Sequence, residues 1–129
     1  MEQHDFLNMK KGNVEKEHLK PKLVTVQGVR VEDKSSESKK VSPLLVLICK
    51  HPDRAEPIEF TKIKIMRDDK ARVVGLWVDS DKEGNIQKGS ALHILMEILN
   101  VNTPNDIVGK QISTVEQAKD SPYLCIKGY

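Results

Sequence analysis

Between Gly89 and Gly109 the sequence allows little choice of local structure. Ser90 stands where an N-cap is needed, with a hydroxyl able to take one of the unpaired amides of a first helical turn. Leu92, Leu95, Met96 and Leu99 recur at helical spacing, and Ile94 and Ile98 widen the apolar arc. Only His93 and Glu97 interrupt it, one turn apart, as an i,i+4 pair. A helix this apolar is expected to be covered on nearly every side. Thr103 is expected to cap a second short turn, with Pro104 at its first position and Gly109 ending it. Nearly everything else reads as β-strand, so the helix is predicted to plug one end of a small β-barrel.

The strands declare themselves by β-branched content and by the parity of their apolar positions. In residues 23–31, Val24 and Val26 share one face while Val29 and Val31 share the other. The switch falls at Gly28, where a residue without Cβ permits a bulge. Residues 44–49 are apolar on both faces and predict a doubly covered central strand. Residues 58–66 slip in the same way as the first strand: Ile58 and Phe60 share one parity, Ile63 and Ile65 the other. Asp68-Asp69 is the turn into residues 71–78, where Val74, Leu76 and Val78 oppose Val73, Gly75 and Trp77. Residues 110–115 and 123–127 predict a terminal hairpin.

The expected fold is therefore mainly β with one helix: about six strands, the helix preceding the final hairpin. That order is the order of an OB-like small β-barrel. Residues 1–22, polar with scattered lysines and carboxylates, are expected to form a flexible N-terminal arm, and residues 23–129 the single barrel domain. The pattern Gly89-Ser90-Ala91-Leu92, Leu95-Met96, Leu99, Val101, Thr103, Val108-Gly109-Lys110 resembles that of small phage and archaeal replication-type proteins, some with OB-like domains. That resemblance implies single-stranded nucleic-acid binding and an archaeal or viral setting.

Composition narrows the classes further. The formal net charge of +2 makes the chain no polybasic nucleic-acid sponge, so any such binding needs a local patch. Cys49 and Cys125 lie far apart, each inside an apolar strand, and read as buried free thiols of a reducing compartment. No signal-peptide core opens the chain, and no run approaches the roughly 20 apolar residues of a membrane span. An intracellular, cytoplasmic protein without membrane partners is expected.

One local patch presents itself. Lys62, Lys64, Arg67, Lys70 and Arg72 flank the Asp68-Asp69 turn and could track a phosphate backbone. Trp77, on the less apolar side of its strand, is positioned to stack on a base, with Tyr123 and Tyr129 as further aromatics. The opposing reading has Trp77 covered by the arm or by a dimer partner. Lys88, beside the helix start, could hold one phosphate at free amides.

Other constellations are weaker. Asp79-x-Asp81-x-Glu83-Gly84 imitates the opening of a calcium loop, but Ser90 stands where a bidentate Glu is required, so a polar turn is expected. Lys88-Gly89-Ser90 has the wrong order for a phosphate loop. Cys49-x-His51 lacks a second ligand pair, so no metal and no cofactor are expected. His51-Pro52-Asp53-Arg54 is read as a loop fixed by a His–Asp pair. No nucleophile elbow or paired-carboxylate motif appears. The chain is expected to be a non-catalytic single-stranded DNA- or RNA-binding protein, with a protein-interaction or assembly module, such as a homodimer, as the alternative.

Overall fold

The computed structural model describes residues 7–12 and 18–129. The arm expected over residues 1–22 falls partly on residues 1–6 and 13–17, which lie outside the described residues. From Val24 onward the fold is mainly β, with one helix. Its elements are β1 (Val24–Glu32), β2 (Leu44–Lys50), β3 (Ile58–Phe60), β4 (Lys62–Arg67) and β5 (Lys70–Gly75). They are followed by α1 (Ala91–Leu99), a 3-10 turn (Pro104–Ile107), β6 (Gln111–Ile112), β7 (Thr114–Glu116) and β8 (Leu124–Gly128).

The ladders form two four-stranded sheets, ordered β3-β2-β1-β6 and β5-β4-β8-β7. This corrects the expectation of a closed barrel of about six strands. Two of the expected strands are each split in two. Residues 58–67 change sheets at Thr61, where the apolar parity slips, and residues 111–116 change sheets at Ser113. The ring stays open because β4 has a partner on each side, β5 antiparallel and β8 parallel, leaving β2 no edge to bond. β2 instead meets β3 and, through the Leu44–Trp77 bridge, the chain leaving β5. The first sheet curls into a half-barrel, and the register shift between Val26 and Gly28 supplies the bend expected at that glycine.

Both sheets and α1 share one core. Val24, Val26, Leu45 and Leu47 come from the first sheet, Ile63, Ile65 and Ile126 from the second, and Leu92, Leu95 and Met96 from α1. The Ser90 hydroxyl accepts the His93 amide at 3.2 Å, capping α1 as expected. Asn100 ends it in the left-handed region, at φ 54°. The helix is covered on one side rather than nearly all round: Ile98 is 50% exposed, and Ile94 and Leu99 are half-buried at the margin. Thr103 makes no side-chain cap bond, contrary to expectation, although Pro104 opens the turn and Gly109 leaves it with φ 89°.

Candidate nucleic-acid interface

Strand parity decides which cations share a face. In β4, Ile63 and Ile65 enter the core, so Lys62, Lys64 and Met66 point outward. Cross-strand partners lie on the same face. Lys62 pairs with Gly75, and Lys64 with Val73 on one side and Lys127 on the other. The Asp68-Asp69 turn has positive φ at both residues, 51° and 62°, which is the two-residue hairpin geometry that fixes this register. It also sets Ile65 opposite Arg72, and Arg67 opposite Lys70.

The five hairpin cations are therefore not one patch. Lys62 and Lys64 lie on the outer face. Arg67, Lys70 and Arg72 follow the parity of the core and stand at the far end of the hairpin. There Arg67 donates to the Gly89 carbonyl at 3.1 Å, next to exposed Lys88. In their place stands Lys127, outside the hairpin, beside Lys64 on the outer face. Its only signal in the sequence is the alternation of Tyr123, Cys125 and Lys127.

Trp77 is on the outer side, 37% exposed. Its indole lies against Gly75, where an added Cβ would sit 2.6 Å from Nε1, so the ring's position depends on the missing side chain. Lys40, Val41, Ser42 and Asp79 line the shallow recess around it, and the Ser42 hydroxyl donates to Asp79 Oδ1 at 2.5 Å. At the opposite end of the same face, the Lys127 ammonium lies 5.1 Å from the centre of the exposed Tyr129 ring, within cation–π range. Tyr123 keeps the parity of Cys125 and Lys127 and is 68% exposed.

Among the described strand positions of this outer face none is acidic. They are Ala71, Val73 and Gly75 on β5; Lys62, Lys64 and Met66 on β4; Cys125 and Lys127 on β8; and Val115 on β7. Lys64 reaches the Glu116 carbonyl at 3.3 Å, and no partner acts on the Lys62 ammonium among the described residues. Cys125 is buried beneath these lysines. Burial pushes its thiol up, and the positive charges of Lys64 and Lys62 pull it part of the way back. Cys49, within the core, is raised to about 12 by burial alone. Both cysteines are free.

The remaining motifs settle into structural roles. Asp81 Oδ1 accepts the amides of Glu83 and Asn85 at 2.9 and 3.0 Å, which accounts for the acidic loop as a polar turn. No group of three metal-ligating side chains occurs among the described residues. His93 and Glu97 form the expected pair at 2.9 Å.

His51 is fully buried, but it does not pair with the Asp53 carboxylate. Its Nδ1 accepts the Asp53 backbone amide at 3.0 Å, which leaves Nε2 to donate to the Lys20 carbonyl at 2.8 Å. The Asp53 carboxylate turns to Lys22 at 2.7 Å, and that ammonium lowers its pKa. Lys22 also exchanges two backbone bonds with the Thr114 hydroxyl, at 2.9 and 2.6 Å. The last residues assigned to the arm are thus tied to the body.

No protein-family model, curated protein or solved structure matches this chain. No helix among the described residues is long and apolar enough to cross a membrane.

Proposed function

We propose that this protein binds single-stranded nucleic acid, without catalysis, on the outer face of the β5-β4-β8-β7 sheet. The supporting observation is the parallel pairing of Lys64 with Lys127, which gathers three lysines between Trp77 and Tyr129, with no acidic residue at the described strand positions of that face. Lysines spaced along adjacent strands suit a phosphate backbone, and the flanking rings suit bases of any sequence. In this reading the fold is an OB-type barrel opened into two sheets, with β5 as an added strand. A cytoplasmic setting accompanies it, since both thiols are free and buried.

The test is binding of a fluorescently labelled oligonucleotide across a salt series, read by its anisotropy, with Trp77 emission as a second signal in the unsubstituted protein. Three phosphate contacts give a slope of about −2 in log affinity against log salt, at about 0.7 counterions per contact. Trp77→Ala weakens binding by about 1–3 kcal/mol and leaves the slope unchanged, because stacking releases no counterions. Binding absent at low salt, with Trp77 emission unmoved by saturating oligonucleotide, overturns the reading.

One observation favours a second reading as an interaction module. β5 has ladder partners on one side only, and its other edge is a template for a further strand, including that of a second copy. A concentration-dependent dimer mass, abolished by Val73→Pro, is its signature.

A further inference from the structure

A cleft of about 380 Å³ opens where β3 leaves β4 for the other sheet, between the 51–57 loop and the turn joining β7 to β8. That volume lies within the range of small-molecule sites. Its floor is apolar, made by Ile58, Phe60 and Leu124, and the exposed ring of Tyr123 stands at its wall. Arg54 and His18 are on its rim. The charges favour an anion. Among the described residues the Arg54 guanidinium is held only loosely, with Nη2 3.8 Å from Glu56, beyond hydrogen-bond distance. The one carboxylate among the described lining residues, Glu59, is already taken by Arg30, whose two guanidinium nitrogens reach it at 2.8 and 3.1 Å. An entering phosphate therefore meets an available guanidinium and a neutralised carboxylate. An entering planar ring meets an apolar floor and a tyrosine face.

We propose that this cleft binds one nucleotide unit, the base against Tyr123 over Ile58, Phe60 and Leu124, and the phosphate at Arg54 and His18. The site deepens the nucleic-acid reading and rests on it only for the source of the nucleotide, free in solution or carried by a strand. Tyr123, two residues from the cysteine that underlies Lys62 and Lys64, would lead a bound strand from the lysine face into the cleft.

Amide NMR of the full chain tests this with adenosine 5′-monophosphate, adenosine, inorganic phosphate and a short oligothymidylate as separate probes. The expected result is that the mononucleotide shifts the signals of Ile58, Phe60 and Tyr123 at lower concentration than adenosine or phosphate. Tyr123→Ala should weaken that binding about five- to a hundredfold, the range of one lost stack. Arg54→Gln should weaken it about tenfold, as for a lost charge-assisted contact. Tyr123→Phe should restore it. Shifts at these residues with the oligonucleotide and not with the mononucleotide also support the site and assign the strand as its source. Equal binding of phosphate alone overturns base insertion. Silence at these residues with every probe overturns the proposal, while oligonucleotide shifts confined to Lys62, Lys64 and Trp77 show that the sheet-face reading survives without it. A native spectrum for each variant separates lost binding from lost folding.

Discussion

The two sheets treat their outer charges in opposite ways. On the first, Arg30 binds Glu32 at 2.6 Å and Glu59 at 2.8 Å, and Lys34 reaches Glu32 at 2.9 Å, so cations and carboxylates cancel locally. On the second, Lys62, Lys64 and Lys127 have no acidic neighbour on their face among the described strand positions. A net charge of +2 averages over both and conceals the difference. What an anionic partner meets is set by how carboxylates are distributed between the sheets, not by how many there are.

The contrast has to survive loss of the core that both sheets share. Leu95→Ala removes a side chain with 0% exposure beneath both, and should cost about 2–5 kcal/mol in chemical denaturation. Ile98→Ala, half exposed on the same helix, should cost about 1 kcal/mol or less. Equal losses would mean that α1 does not present Leu95 to the two sheets.

Glycines separate the sheets next. A Cβ at Gly128 would meet the Ile63 side chain and the Lys64 carbonyl at 2.8 Å, forcing β8 away from β4. Gly128→Ala should destabilise by about 1–3 kcal/mol and displace Lys127 from Lys64. At the bulge of the first sheet, a Cβ on Gly28 meets only Ile48 Cδ1, at 3.8 Å. Gly28→Ala should change stability by about 0.5 kcal/mol or less. Thermal unfolding of the two variants checks the difference.

Charge removal addresses the comparison directly. Lys62→Ala with Lys64→Ala should make the salt slope of oligonucleotide binding shallower by about 1.4, two contacts' worth. Arg30→Ala should leave that slope unchanged and cost at most about 1 kcal/mol of stability, since its pairs are exposed. A steeper loss from Arg30→Ala than from the lysine pair would transfer the binding face to the first sheet.

The smallest effect is pH-dependent. The Lys22 ammonium depresses the folded-state pKa of Asp53 below its ordinary value, and Lys34 does the same to Glu32. A depressed carboxylate contributes stability above its unfolded pKa and loses it as pH falls through the folded one. Lys22→Ala should therefore lower the melting temperature slightly near neutrality and flatten the acid limb, so that the two profiles converge below about pH 4. Both carboxylates are exposed, so the effect is slight.

Features that depend on neighbours in sequence were legible in it. Gly28, the Asp68-Asp69 turn and the Ser90 cap act within a few residues, and the structure places each as expected. The parity slip at Thr61 is visible too, but within one chain segment it is compatible with a single irregular strand over residues 58–66. Only the parallel partner β8 shows it to be a passage between sheets. The hairpin cations were grouped by nearness in the chain, whereas a period of two already assigns Lys62 and Lys64 to one side and Arg67 to the other. Lys127 could not have been found that way. Its place beside Lys64 comes from pairing strands 63 positions apart, which no local pattern encodes.

The passages at Thr61 and Ser113 bear on how the molecule opens. Two sheets joined only by packing can fray independently, each with its own rate of exchange with deuterated water. Here the covalent chain is woven through both, so peeling β3 from β2 pulls on β4, and peeling β6 from β1 pulls on β7. The amides of Leu47 and Ile63, in different sheets, should exchange through the same global event, and the lysine face should persist as long as the half-barrel beside it.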